Sequence, residues 1–167
     1  RPETLYARTK DELRREVERR PDSVWVRFFY QYGPWDDERR LVPAVIRSLL
    51  RGQPARVSPG EQRRDFLHVE DVARAVADVA ASRLSGPVNV GSGEAPSVRH
   101  IVTTLGRLTG RPELVQLGAV PYYPGEPMLI VADNAKLRST GWIPRWTLEE
   151  GLRQTVEWWR GVLEKGG

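Results

Sequence analysis

The chain contains no cysteine. That excludes a disulfide framework, a thiol nucleophile and a thiolate metal site. Histidine is nearly as scarce: His68 and His100 are the two present, far apart in sequence, which argues against a His-rich metal centre. No apolar run approaches the ~20 residues of a membrane span, and no signal-peptide pattern opens the chain. Lysine is confined to Lys10, Lys136 and Lys165. There is no Lys/Arg block interleaved with aromatics and no nucleic-acid-binding motif, and the formal charge of +4 is spread along the chain. The expectation is a soluble, cytoplasmic globular protein without metal, membrane or nucleic-acid partners. Its 167 residues suit one core, or most of a larger domain. The opening Arg1-Pro2-Glu3-Thr4 lacks an initiator Met and enters a helical pattern at once, so the chain reads as the continuation of something longer.

Arginine dominates the cations, which favours planar, bidentate contacts to phosphates and carboxylates. Helical and extended patterns alternate, as in α/β folds. Residues 2–20 are helical, with Leu5, Leu13 and Val17 as apolar positions opposite a charged face. The β-branched and aromatic run Val24 to Tyr30 reads as a buried strand, followed by a loop over 31–40 containing Gly33-Pro34. Helices are expected over 41–50, 70–82, 97–108 (Ser97 as cap, Gly110 as stop) and 148–164 (Thr147-Leu148-Glu149-Glu150 as capping box). Short extended segments fall at 64–69, 87–90 and 114–117, and 118–127 is a Pro/Gly/Tyr loop.

Tyr6 and Lys10 lie four residues apart on the first helix and project from one face. A phenol ordinarily titrates near ~10, but a neighbouring ammonium stabilises the phenolate and lowers that value. Such a pair can move protons to and from a hydroxyl or ketone, and the lysine can donate hydrogen bonds to a cofactor ribose. A solvated helix face accounts for the same spacing.

Five segments in order carry a resemblance. They are Tyr6-(x3)-Lys10; Arg27-Phe28-Phe29-Tyr30-Gln31-Tyr32-Gly33-Pro34; Arg64-Asp65-Phe66-Leu67-His68-Val69-Glu70-Asp71-Val72-Ala73; Asn89-Val90-Gly91-Ser92-Gly93; and Leu137 to Pro144 followed by Leu148-Glu149-Glu150-Gly151-Leu152. Together they resemble the C-terminal half of an extended short-chain dehydrogenase/reductase of the nucleotide-sugar epimerase/dehydratase family. The family's Gly-rich dinucleotide turn and its catalytic Ser/Thr have no counterpart in the 167 residues. The resemblance implies an α/β fold: the C-terminal part of a doubly wound Rossmann-like parallel sheet with a small α/β substrate-binding lobe. Residues 1–34 and parts of 60–95 would belong to the sheet domain, and 35–60 and 95–167 mainly to the lobe.

The resemblance also implies roles. Tyr6 would be the catalytic acid/base and Lys10 its partner, both touching NAD or NADP. Phe29 and Gln31 would pass beside the nicotinamide, although Tyr30 stands where the family commonly has Asn, and core packing for 28–32 is equally open. Leu41, Val42 and Pro43 would grip the nucleotide base, or serve as ordinary core. Arg64 would hold the substrate diphosphate, with an ion pair to Asp65 or Glu70 as the alternative. Asp65 would be structural, orienting the arginine or satisfying backbone donors, and His68 would pack. In Tyr122-Tyr123-Pro124-Gly125-Glu126, Tyr123 and Glu126 stand where the family often has Arg and Asp; Tyr123 supplies no positive charge, so either it donates a hydrogen bond or another arginine covers the phosphate. Trp142, Trp146, Trp158 and Trp159 suggest a stacking surface but fit better as the small lobe's core.

The implied activity is NAD(P)-dependent oxidoreduction at a nucleotide-linked sugar, as epimerase, 4-ketoreductase or 4,6-dehydratase. A homodimer through the Tyr6 helix is expected. The alternative is a non-catalytic nucleotide-sugar-binding or dimerisation module.

Overall fold

The computed structural model describes residues 4–165, so the expected helix start at Pro2 lies outside the described residues. Helix α1 (Leu5–Glu18) opens at Thr4, whose hydroxyl accepts from the Ala7 amide at 3.1 Å. There follow β1 (Val24–Phe28), β2 (Tyr30–Tyr32), α2 (Leu41–Leu50), β3 (Ala55–Val57), β4 (Arg63–Arg64), β5 (Phe66–His68), α3 (Val69–Ala81), β6 (Gly86–Val90) and α4 (Val98–Thr109). After a 3₁₀ turn at Pro112–Leu114 come β7 (Val115–Leu117), β8 (Leu129–Ile130), α5 (Ala135–Arg138) and α6 (Leu148–Lys165). Among the described residues no helix is long and apolar enough to cross a membrane.

The strands pair two by two, β1 with β6, β2 with β5, β3 with β7 and β4 with β8, and every pair is parallel. Parallel partners need crossovers, which the helices supply; this is the α/β arrangement the alternating pattern predicts. The capping signals hold. The Ser97 hydroxyl accepts from the His100 amide at 3.1 Å, Gly110 ends α4 at φ 72°, and Thr147 and Glu150 bond reciprocally at 3.0 and 3.3 Å.

Three expectations are corrected. Val24 to Tyr30 is not one buried strand. The chain changes partner between Phe29, whose amide donates to the Val90 carbonyl at 3.3 Å, and Tyr30, whose amide donates to the Asp65 carbonyl at 3.0 Å. The run therefore splits into β1 and β2, leaving Phe28 and Tyr30 exposed and placing Gln31 in a strand rather than a loop. On α1, Leu5, Leu13 and Val17 form no buried stripe: the helix has no buried residue, and Leu5 is 82 % exposed. Trp142 packs with Leu67, Val88 and Leu137 behind β5 and β6, whereas Trp159 joins the α2, α4 and α6 core, so the tryptophans do not share one core. The short β3, β8 and α5 carry no sequence signal long enough to foresee.

Two buried aspartates tie the loops to this frame. Asp65, wholly buried between β4 and β5, accepts from the Ser92 amide and hydroxyl (both 2.7 Å), the Gly93 amide (2.9 Å) and the Ala132 amide (3.0 Å). The approach is so close that a Cβ on Gly91 would lie 2.8 Å from the Asp65 carboxylate, which is why glycine stands there. Asp71 does the same for the segment entering α6, accepting from the Arg145 and Trp146 amides, each at 3.0 Å. Removing a buried acceptor strands its donors, each costing about 1–3 kcal/mol. Asp65→Ala is therefore expected to lower unfolding free energy by about 3–5 kcal/mol in urea titrations, with Asp65→Asn intermediate because one acceptor oxygen survives.

Candidate functional site

A cleft of about 900 Å³ opens where β1 hands over to β2. It follows the carboxyl end of β1, the usual ligand position in α/β sheets, and is of a size that takes a nucleotide-scale ligand. Seven residues expected at the substrate or nicotinamide side line it together: Phe29, Gln31, Leu41, Val42, Arg64, Tyr123 and Glu126. They arrive from the β1–β2 junction, the start of α2, β4 and the loop over 118–127. Val42 is also buried in the helical core, so the base-pocket and core readings of that residue coexist; Pro43 is simply buried.

Arg64 is 3 % exposed. Its guanidinium pairs with Glu126 across the cleft, donates to the Arg63 carbonyl at 2.9 Å, and lies 5.7 Å from the centre of the Tyr30 ring. The ion pair is thus made with neither Asp65 nor Glu70, the two partners foreseen. Asp65 instead accepts from three backbone amides and the Ser92 hydroxyl, the second of the two structural roles expected of it. Beside this pair, partial desolvation and then the Glu126 carboxylate raise the pKa of the Tyr123 phenol, which stays a neutral hydrogen-bonding group. At the other wall Asp36 sits 3.5 Å from Arg40, with its pKa raised chiefly by burial.

Tyr6 and Lys10 do not line this cleft. Tyr6 is 73 % exposed on α1, and the Lys10 ammonium lies 6.0 Å from the Tyr6 ring centre and 6.0 Å from that of Trp25. The two side chains do share a helix face, and the ammonium stands within cation–π reach of both rings.

Sequence reasoning passed over Arg56 and Gln62, which also line the cleft. Gln62 lies just before β4, outside any strand, and no sequence pattern marks it. Its amide nitrogen donates to the Ser58 hydroxyl at 3.0 Å, and its buried amide oxygen has no partner among the described residues. Nor does any pattern mark Arg56, because β3 is too short to reveal its alternation. His68 packs as foreseen and also caps α3: Nδ1 accepts from the Glu70 amide at 3.4 Å while Nε2 meets the Gln154 side-chain oxygen at 2.8 Å. A neutral imidazole protonated on Nε2 satisfies both contacts.

Comparison with known proteins agrees with this architecture. A family model described as the NAD dependent epimerase/dehydratase family matches residues 1–91. A dTDP-glucose 4,6-dehydratase of Xanthomonas campestris is 33% identical over 151 residues, covering 80% of this chain and 43% of that protein. The Thermus thermophilus UDP-glucose 4-epimerase, solved in complex with NAD, superposes with a TM-score of 0.85 at 28% identity, over 96% of this chain and 55% of that one. The Thermotoga maritima UDP-glucose 4-epimerase, solved with UDP-glucose, gives 0.83 at 28% identity, over 95% and 53%. The chain spans about half the length of the curated relatives it matches.

His68 also sets a pH dependence. Burial lowers its pKa below the ordinary 6.5, outweighing Glu70 and Asp71 nearby. Above that value the imidazole is neutral in both folded and unfolded chains; below it the unfolded chain takes a proton the folded one refuses, so stability is lost as pH falls from 6.5 through the folded pKa. Thermal melts should show this loss, and His68→Gln should flatten it over the same window while costing stability at neutral pH.

Proposed function

The chain belongs to the NAD-dependent epimerase/dehydratase family, and we propose that the protein carrying it performs oxidoreduction at a nucleotide-linked sugar, as an epimerase, 4-ketoreductase or 4,6-dehydratase. The observation that carries this reading is the convergence of Phe29, Gln31, Leu41, Val42, Arg64, Tyr123 and Glu126 on one cleft at the end of β1. Arg64 lines the cleft with its guanidinium engaged by Glu126 and the Arg63 carbonyl, so a phosphate would share that guanidinium with Glu126. Leu41 and Val42 offer the apolar wall for a base. The sheet side, residues 1–34 and parts of 60–95, would serve the cofactor, and the helical lobe the substrate.

The face of α1 suits a dinucleotide: an exposed phenol beside an ammonium with three N–H donors for ribose hydroxyls. NAD(P), when bound, supplies the hydride acceptor and donor. Tyr6 takes the proton of the sugar hydroxyl as its carbon is oxidised and returns one in the reverse direction. Lys10, 6.0 Å from the Tyr6 ring centre, would hold the cofactor ribose beside it. The exposed Leu5 and Leu13 on the same helix support a homodimer through α1.

One observation favours the second reading, a non-catalytic binding or dimerisation module: Tyr6 and Lys10 stand outside the cleft. NADH fluorescence titration separates the two, since saturable micromolar enhancement sinks the module. The enzymatic reading is tested by incubating the intact protein with NAD⁺ and UDP- or dTDP-glucose and following the sugar by NMR. Tyr6→Phe is expected to lower kcat by about 10²–10⁴ with cofactor binding retained. Arg64→Ala should raise KM for the nucleotide sugar about tenfold or more; an unchanged KM with a lowered melting temperature would make the arginine purely structural.

A further inference from the structure

Five charged side chains line the cleft: Asp36, Arg40, Arg56, Arg64 and Glu126. Two of the three guanidinium groups face carboxylates, Arg40 with Asp36 at 3.5 Å and Arg64 with Glu126. Arg56 differs. Among the described residues it makes no ion pair, and its polar contact is one Nη2 bond to the Ala119 carbonyl at 3.3 Å. Its direction is set by the pleat: Ala55 and Val57 on either side are buried in the core, so Arg56 projects the opposite way.

We propose that Arg56 supplies the second cation of a nucleoside-diphosphate site, completing with Arg64 the charge that Tyr123 cannot provide. This rests on the nucleotide-sugar reading above. A diphosphate ester carries more than one negative charge near neutral pH, and Arg64 is already shared with a carboxylate, so one guanidinium leaves it undercompensated. Arg56 is exposed, so it stands ready in water without the cost of a buried unpaired charge. Its bond to Ala119 is long for an N–H···O contact and is readily exchanged for a shorter, charge-assisted bond to a phosphate oxygen. That bond also ties it to the segment that leads into Tyr122 and Tyr123, which line the same cleft. Arg56 is therefore a binding and specificity residue that selects diphosphate over monophosphate; it has no part in proton transfer.

The test is calorimetric titration of the intact protein with UDP, dTDP and UMP at low and moderate salt, comparing wild type with Arg56→Ala and Arg56→Lys at matched melting temperatures. Arg56→Ala should weaken UDP and dTDP about tenfold or more, the loss of a charge-assisted contact, weaken UMP far less, and flatten the salt dependence. Arg56→Lys should recover part of the loss, keeping charge without the fork. Equal weakening of UDP and UMP would overturn the proposal by placing Arg56 on the base, ribose or first phosphate, and unchanged UDP affinity would overturn it outright. Both outcomes leave the nucleotide reading intact, because wild type still binds. Failure of wild type to bind either diphosphate would overturn the nucleotide reading of the cleft and this assignment with it.

Discussion

The carboxylate of Asp65 is the contact on which the cleft depends. It sits at the point where β4 gives way to β5, and its two oxygens gather donors from the turn after β6 and from the segment after β8. Its own carbonyl accepts from Tyr30, so the strand that lines the cleft is bonded to the same residue. Arg64 is its immediate neighbour. A guanidinium held 97 % out of solvent needs a fixed backbone, and Asp65 fixes it from three directions at once. A carboxylate accepting several backbone N–H bonds compensates for its burial through those bonds, and none of them is to another ionised group.

The cleft above that anchor is electrostatically economical. Its carboxylates are each matched to an arginine, which keeps Arg64 in place without a ligand and leaves one cation over. Such an arrangement presents a preorganised, mildly positive mouth, consistent with a ligand that brings its own negative charge. If the ligand is the nucleotide sugar proposed above, the balance between Glu126 and Arg56 sets how much of its charge the site meets.

Legibility in the sequence followed the length of each pattern. The helices over 41–50, 69–81 and 98–109 were readable because apolar periodicity and caps such as Ser97 and Gly110 repeat over several turns. The break between β1 and β2 was not, because nothing in a run of β-formers marks where a strand exchanges one partner for another. The cleft residues are legible through motif resemblance, whereas Glu126 as the partner of Arg64 is not: the pair lies far apart in sequence, and the local pattern offers only Asp65 and Glu70. Arg56 and the fate of the tryptophans depend on tertiary packing that three-residue segments do not encode.

The uniformly parallel pairing has a kinetic corollary. There is no hairpin among the described strands, and even the nearest partners, Tyr30 and Phe66, have all of α2 between them. No β-ladder can nucleate locally; each waits for a long loop to close, and that entropy must be met before any ladder bond forms. The helices, with their own caps and apolar faces, are the elements able to gather early, and the sheet condenses onto them late. Until then the bare edges of β1 and β6, with Phe28 beside them, are open to mispairing between chains. Such mispairing grows with the concentration of chains.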